Sequence, residues 1–356
     1  MTASPASASS SRSSEAAHAH EAILVCGVNW VGDCIMTMPA LQAFRRKHPT
    51  AYITLLIKPQ LMQLWKLNPV PNEVLPLHSG FAGTLRTARL IRTRRFKKAF
   101  VLPHSFRSAL VPFLGGVEER IGMPGHWRGA MMTRIVHPRE GQPGREHQAW
   151  EYMDLLVPNH EARELERPEL NLPEDIVAAA RTRLDKLPQP RIGLLPGAAR
   201  GPSKRWPAGH FIELGKRLVK EKNACIVTLG ISREASLCQK IVDGIGPGAL
   251  NLAGQTTLAE WIALLKVCDL VISNDSGGMH LAAAVGTPVV AIFGITNPAQ
   301  TGPLGPNCRV VQNSTVRRRD VDRDSPEAIK SLASITPDQV FGAAETFLSE
   351  QSGRKT

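Results

Sequence analysis

Three short stretches of this chain place ionisable or glycine-rich residues directly after apolar, β-branched runs. The first is "GVNWVGDC" at 27–34, where Gly27 and Gly32 have the G-x-x-x-x-G spacing of a triphosphate-binding loop. Such a loop continues with Lys and a hydroxyl residue, but here Asp33 and Cys34 follow. A carboxylate so placed either caps a helix or accepts a proton from a hydroxyl at a ligand site. The helix is expected to begin near Gly32–Asp33, where its dipole would hold Asp33 ionised. The dinucleotide fingerprint G-x-G-x-x-G is absent, because Asn29 occupies its second glycine position; this disfavours a nicotinamide-dependent dehydrogenase.

The second stretch is "PGAARGPSKRWP" at 196–207. Gly197 and Gly201 permit close backbone approach, and Lys204 and Arg205 bring positive charge beside a helix N-terminus, itself an anion site. The plainer reading is a connection with two surface cations. The third, "SNDSGGMH" at 273–280, offers unhindered N–H groups at Ser276, Gly277 and Gly278 that suit a diphosphate, with Asp275 before them and His280 one turn on. His280 also reads as an ordinary core histidine. Glu234, after the run "ACIVTLG", stands where an acid often binds ribose hydroxyls. Asp320-Val-Asp322 forms a D-x-D pair, but "RRRDVDRDSP" reads as a solvated loop away from any strand end, and no metal site is expected.

Parallel sheets must position these loops, because short β-branched runs alternate with helical periodicity. Strands are expected at "AILVCGV", "YITLLIK", "EVLPL" and "KAFVLP", and again at "RIGLLP", "ACIVTLG", "DLVISN" and "PVVAIFG". Helices are expected at 34–48 and 83–95, then at 207–222, 232–243, 257–266 and 277–286. The Pro-rich stretch 160–190, with one helix over 174–186, reads as the connection. The resulting division is a disordered tail over 1–20, a Rossmann-like domain over 21–170, a second over 171–335, and a closing helix over 336–350. An α/β fold of two doubly wound parallel-sheet domains facing a cleft is the economical architecture, with ligands beyond the strand carboxyl ends.

Bulk properties narrow the function. The longest nearly apolar run, 281–295, is broken by Gly286 and Pro288 and is too short to span a bilayer. The Ser- and Ala-rich first twenty residues have no apolar core of a secretory signal. Six cysteines without a C-x-x-C pair fit a reduced, cytoplasmic compartment. The net charge is +12, and residues 80–139 hold twelve basic side chains against Glu118 and Glu119, carrying ten of it. That field favours an anionic membrane or an acidic substrate; nucleic acid is disfavoured because aromatic interleaving and a recognised motif are both missing. A solvated basic face is the alternative.

Taken together, "ILVCGVNWVGDCIMTMPAL", "LLPGAARGPSKRWP" and "ISNDSGGMHLAAAVGTPVVAIFG" resemble the three signature blocks of the ADP-heptose:lipopolysaccharide heptosyltransferases, over roughly residues 22 to 350. The "GVNWVGD" and "GPSKRWP" forms are similar to the heptosyltransferase II branch. The resemblance implies a GT-B fold, with the acceptor bound mainly by the N-terminal domain and ADP-heptose by the C-terminal one. It implies that Asp33 is the catalytic base, that Lys204 binds the donor diphosphate, and that Glu234 binds the adenosine ribose. It gives Asp275, Ser276, Gly277 and His280 contacts with heptose and phosphates. A cysteine cluster found near the C-terminus of some members is replaced here by "VRRRDVDRDSPEAIKSL", so that feature does not transfer.

The implied activity is an inverting transfer of L-glycero-D-manno-heptose from ADP-heptose to the first heptose of heptosyl-Kdo2-lipid A. No cofactor is required, since one base serves the acceptor and fixed cations hold the departing diphosphate. The acceptor would lie at the inner face of the inner membrane of a Gram-negative cell, with the enzyme cytoplasmic and peripheral there. Arg107, Arg120 and Arg128 are candidates to meet the acceptor's phosphates and carboxylates. Two other readings stay open: another GT-B sugar-nucleotide enzyme, such as a different glycosyltransferase or an epimerase, and a non-catalytic nucleotide-sugar sensor. A sensor needs no base, so Asp33 discriminates against it.

Overall fold

The structure is a computed structural model and describes residues 21–139 and 141–352. The expected tail over 1–20 lies outside the described residues. By packing, the chain forms two units: one holds 37–145 and 149–163 with the stretch up to Trp30, the other 31–36, 146–148 and the chain from Glu164 onward.

The first unit is built on β1 (Ala22–Cys26), β2 (Tyr52–Ile57), β3 (Glu73–Pro76), β4 (Lys98–Val101), β5 (Glu119–Gly122) and β6 (Arg134–Ile135). Its helices are α1 (Val31–Lys47, whose first turn packs with the second unit), α2 (Met62–Lys66), α3 (Gly80–Arg94), α4 (Phe106–Leu114) and α5 (Ala149–Leu156). The strands are all parallel in the order β3-β2-β1-β4-β5-β6. Buried on both faces, β1 and β2 read as continuous apolar runs, as a parallel sheet covered by helices requires.

The second unit repeats the plan. Its strands are β7 (Arg191–Leu195), β8 (Cys225–Thr228), β9 (Ala249–Asn251), β10 (Leu270–Asn274), β11 (Val289–Ile292) and β12 (Cys308–Val311). The helices are α6 (Glu174–Leu184), α7 (Ala208–Lys222), α8 (Ala235–Ile245), α9 (Leu258–Val267), α10 (Gly277–Ala284), α11 (Pro298–Thr301), α12 (Pro326–Ala333) and α13 (Pro337–Ser352). The parallel order β12-β11-β10-β7-β8-β9 is the first sheet's topology over again, although no sequence repeat announces it. Its core packs Ile192, Leu194, Ile226 and Ile272 against Phe211, Leu214 and Leu218 of α7 and Phe341 of α13. Helix α9 starts with a reciprocal cap: the Thr257 hydroxyl accepts from Glu260 N, and Glu260 accepts from Thr257 N at 2.7 Å.

The eight strands expected from sequence are all present. Four others, β5, β6, β9 and β12, were not expected. They are short, and three of them are largely exposed or half-buried, so they lack a sustained apolar run. All six cysteines are free and five are buried. Among the described residues no helix is long and apolar enough to cross a membrane.

Candidate active site

In the second sheet the strand order reverses between β7 and β10, which lie side by side. Helices leave such a pair toward opposite faces and open a crevice beyond the strand ends. Two of the three chemistry-bearing loops start there. Asn274, the wholly buried last residue of β10, ties them together: its Nδ2 donates to Pro196 O at 2.8 Å and its Oδ1 accepts from Trp206 N at 3.0 Å. The Trp206 indole is buried and donates to Ile335 O at 2.9 Å. The loop 196–206 is therefore pinned at both ends.

Lys204 closes a short 3-10 turn, Pro202–Lys204, ahead of α7. Its Nζ lies 2.5 Å from Asp275 Oδ2, and the Thr296 hydroxyl donates to the same oxygen at 2.7 Å. Both charged side chains are largely buried, at 13% and 7% exposure. Lys204 is thus an ion-paired, positioned cation rather than a surface one. An ammonium has three donors, so the pair leaves capacity for a ligand oxygen.

Glu234 is buried at the end of the turn Ser232–Glu234 after β8, where its Oε2 accepts from Ile231 N at 3.1 Å. Its carboxylate presses on Gly197: a Cβ there would stand 2.1 Å from Glu234 Cδ. Any side chain at 197 would have to displace the Glu234 carboxylate, so the glycine lets the acid stand against the same loop that carries Lys204.

Ser276 is the N-cap of α10 and makes no side-chain cap bond. The first-turn N–H groups of a helix have no partner within it, so the turn at Gly277 and Gly278 offers donors at the mouth of the crevice. His280 is 4% exposed, and its Nδ1 is buried with no hydrogen-bond partner. Burial pushes its pKa down to about 3, so the ring is held neutral near neutral pH. A Cβ on Gly32 would come within 2.9 Å of the His280 ring. Gly32 is therefore small to admit an imidazole, and a Cβ on Gly27 would meet Ile57 Cδ1 at 2.6 Å, so both glycines of the phosphate-loop spacing have packing reasons.

Asp33 is the third residue of α1, whose N-cap is Trp30, so Asp33 does not cap the helix. Burial works against the helix end at this carboxylate. Desolvation comes first and raises its pKa, opposed by Arg200, Lys204 and Arg319, while Asp320 adds to the rise. The half-buried carboxylate thus binds a proton more tightly than a free Asp, and is the stronger base for it.

The charged loop holding Asp320 also departs from expectation, because it lies on the site rather than away from it. Asp320 Oδ1 is 2.5 Å from Arg200 Nη1, and Ser203 N donates to Arg323 O at 3.1 Å. Backbone bonds from Asn297 N to Arg318 O and from Arg318 N to Ile295 O fasten it beyond β11. Sequence reasoning missed Arg200 and Thr296, and gave Asn274 no role. A search after every strand end would have reached Thr296, which follows β11.

The three candidate acceptor arginines separate. Arg107 is exposed and donates to His78 O at 3.3 Å. Arg120 donates to Met131 O at 2.6 Å and to Val117 O. Arg128 is 1% exposed and directed at the carbonyls of Pro103 and Val101. The guanidinium groups of Arg120 and Arg128 are both engaged with backbone carbonyls, and burial leaves Arg128 no open face for an acceptor. Among the described residues there is no group of three or more His, Cys, Asp or Glu arranged to hold a metal ion.

Two parallel sheets of this topology in one chain, with a cation–acid loop at the switch point of the second, define a GT-B glycosyltransferase. The sequence matches glycosyltransferase family 9 (heptosyltransferase) over residues 84–330, and the chain belongs to that family. Lipopolysaccharide heptosyltransferase 2 of Salmonella typhimurium is 31% identical, with 92% of this chain and 99% of that protein covered. Its Escherichia coli counterpart is 30% identical, with 92% and 99% covered. The solved structure of E. coli ADP-heptose lps heptosyltransferase II superposes with a TM-score of 0.79 at 28% identity, covering 93% of this chain and 99% of that one. A family 9 glycosyltransferase from Veillonella parvula gives 0.81 at 25% identity, covering 93% and 98%.

Proposed function

We propose that this chain transfers L-glycero-D-manno-heptose from ADP-heptose to the first heptose of the lipopolysaccharide inner core, with inversion at the sugar carbon. The observation that carries the reading is the convergence at one strand-end crevice of Lys204 on Asp275, Glu234 on Gly197, and the first turn of α1 with Asp33. The near-full-length relatives named lipopolysaccharide heptosyltransferase 2 support the choice of donor and acceptor.

In this reading Glu234 receives the ribose hydroxyls, and Lys204 with the N–H groups of α10 receives the diphosphate. Asp33 takes the proton from the acceptor hydroxyl as its oxygen bonds to the heptose anomeric carbon. The bond from that carbon to the diphosphate breaks, and ADP leaves with the electron pair. Its growing charge meets positioned cations and amide dipoles, so the step requires no metal or cofactor. The acceptor is lipid-linked, which puts the enzyme at the cytoplasmic membrane surface as a peripheral protein.

The test is direct. Purified protein, ADP-heptose and a mono-heptosylated Kdo–lipid A acceptor should yield a product heavier by one heptose. An acceptor of unchanged mass, with ADP-heptose intact, overturns the assignment.

A further inference from the structure

Three large aromatic side chains of the first unit are turned out to solvent: Trp127 at 90% exposure, Phe81 at 80% and Phe106 at 47%. Each follows the carboxyl end of a strand, after β5, β3 and β4 respectively. The segments bearing them are bonded to one another. Arg107 of α4 donates to His78 O, just before α3, and His104 Nδ1 donates to Pro124 O at 3.0 Å. The three aromatics therefore share one rim of the sheet.

The loop that carries Trp127 is built rather than loose. His104 holds it at Pro124 on one side, and the buried Arg128 guanidinium holds Pro103 O and Val101 O on the other. Trp127 takes a left-handed backbone, φ 55°, rare for an aromatic residue. At 90% exposure its ring buries little within the chain.

The rim is also cationic. Arg86, Arg89 and Arg107 are exposed, and no Asp or Glu occurs between His78 and Leu114 or between Arg120 and Arg139. Small-molecule sites are concave and cover most of a ligand, whereas aromatics this exposed project outward. Projecting Trp and Phe beside Arg fit the interface of an anionic bilayer, where rings enter the headgroup boundary and cations meet lipid phosphates.

We propose that this rim is a membrane-docking surface in which Trp127, Phe81 and Phe106 insert into an anionic lipid interface flanked by Arg86, Arg89 and Arg107. The choice of occupant rests on the lipid-linked acceptor of the proposed function.

The test uses the whole protein with vesicles that contain neither donor nor sugar acceptor. Wild type should co-sediment with phosphatidylglycerol-containing vesicles and poorly with phosphatidylcholine ones, less so as salt shortens the Debye length. Trp127→Ser and Phe81→Ser together should weaken partitioning at least about tenfold, while Trp127→Phe retains most of it, because inserted apolar area sets the affinity. Lipids brominated in the acyl chain should quench wild-type fluorescence more than that of Trp127→Phe. Calorimetry with ADP should give one affinity for all variants, which reports on the donor site separately. Unchanged partitioning of the double serine variant overturns the proposal, whatever the enzyme's activity. So does a rim that acts only as a sugar wall, with KM for a deacylated acceptor raised and partitioning intact. A wild type that sediments as a dimer, made monomeric by the serines with no change on vesicles, overturns it in favour of a second copy.

Discussion

Lys204 and Asp275 leave different strands of the second sheet, yet Nζ and Oδ2 meet at 2.5 Å with Thr296 on the same oxygen. Removing the cation leaves Asp275 buried with one neutral donor and, in the proposed function, abolishes a charge-assisted contact with the donor diphosphate. Lys204→Ala should weaken ADP binding by roughly 1.5–3 kcal/mol and lower stability as well. The pairing of Lys204→Met with Asp275→Asn separates the two effects: stability should recover while ADP affinity stays low. Calorimetry and urea unfolding on the same samples check both.

Asp33→Asn keeps the shape but cannot take a proton. Turnover should fall by roughly 10²–10⁴ with ADP-heptose affinity nearly intact. Burial raises the Asp33 pKa above its ordinary 3.8, so the acidic limb of the wild-type pH–rate profile should lie above that value. The sign for stability is opposite to that of an ordinary paired Asp. The folded state binds the proton more tightly than the unfolded chain, so stability falls as pH rises from the ordinary value through the raised one. Above both, the ionised carboxylate is a standing cost that Asn removes. The variant should therefore unfold at no lower urea concentration than wild type at neutral pH.

Asp320 pairs with Arg200 at 2.5 Å and also raises the Asp33 pKa, whereas Arg200 lowers it. Asp320→Asn should shift the acidic limb of the profile to lower pH, and Arg200→Gln should shift it to higher pH. Both groups of the pair are substantially exposed, so the two shifts should shrink as salt is raised. Movement of the limb in the same direction for both variants would place its origin elsewhere than Asp33.

Arg128→Met leaves the carbonyls of Pro103 and Val101 without the guanidinium that holds them. Stability should drop by roughly 1–3 kcal/mol, the cost of buried polar groups left unpaired. ADP affinity should not move. Arg107→Ala, at an exposed site, should do the reverse of what a fold-holding residue does: unfolding unchanged, vesicle binding weakened.

Much of the architecture was readable because parallel strands buried on both faces are apolar runs, as in "YITLLI" and "LVISN". The short edge strands β6 and β9 carry no such signal. At the site, the loops after β7 and β10 follow from the strand-end rule. Their junction does not, since the Asn274 bonds to Pro196 and Trp206 join residues 78 and 68 positions apart. Arg128 misled for a related reason. A charge inside a fold shows in sequence only through its partners, and here those are backbone carbonyls contributed by any residue type. The charged loop at Asp320 is exposed, as its composition suggests; what composition does not show is its ion pair with Arg200, 120 positions earlier.

The burial of the cysteines has a practical side. The thiols of Cys26, Cys238, Cys268 and Cys308 are pushed up to about 12 by desolvation, and Cys225 is shifted the same way. The thiolate is the species that reacts, so maleimides and iodoacetamides should find little to attack in the folded chain near neutral pH. A single cysteine introduced at position 127, in the open, would then stand out chemically from all six native ones. A fluorophore coupled there could report, one molecule at a time, when that loop meets a surface.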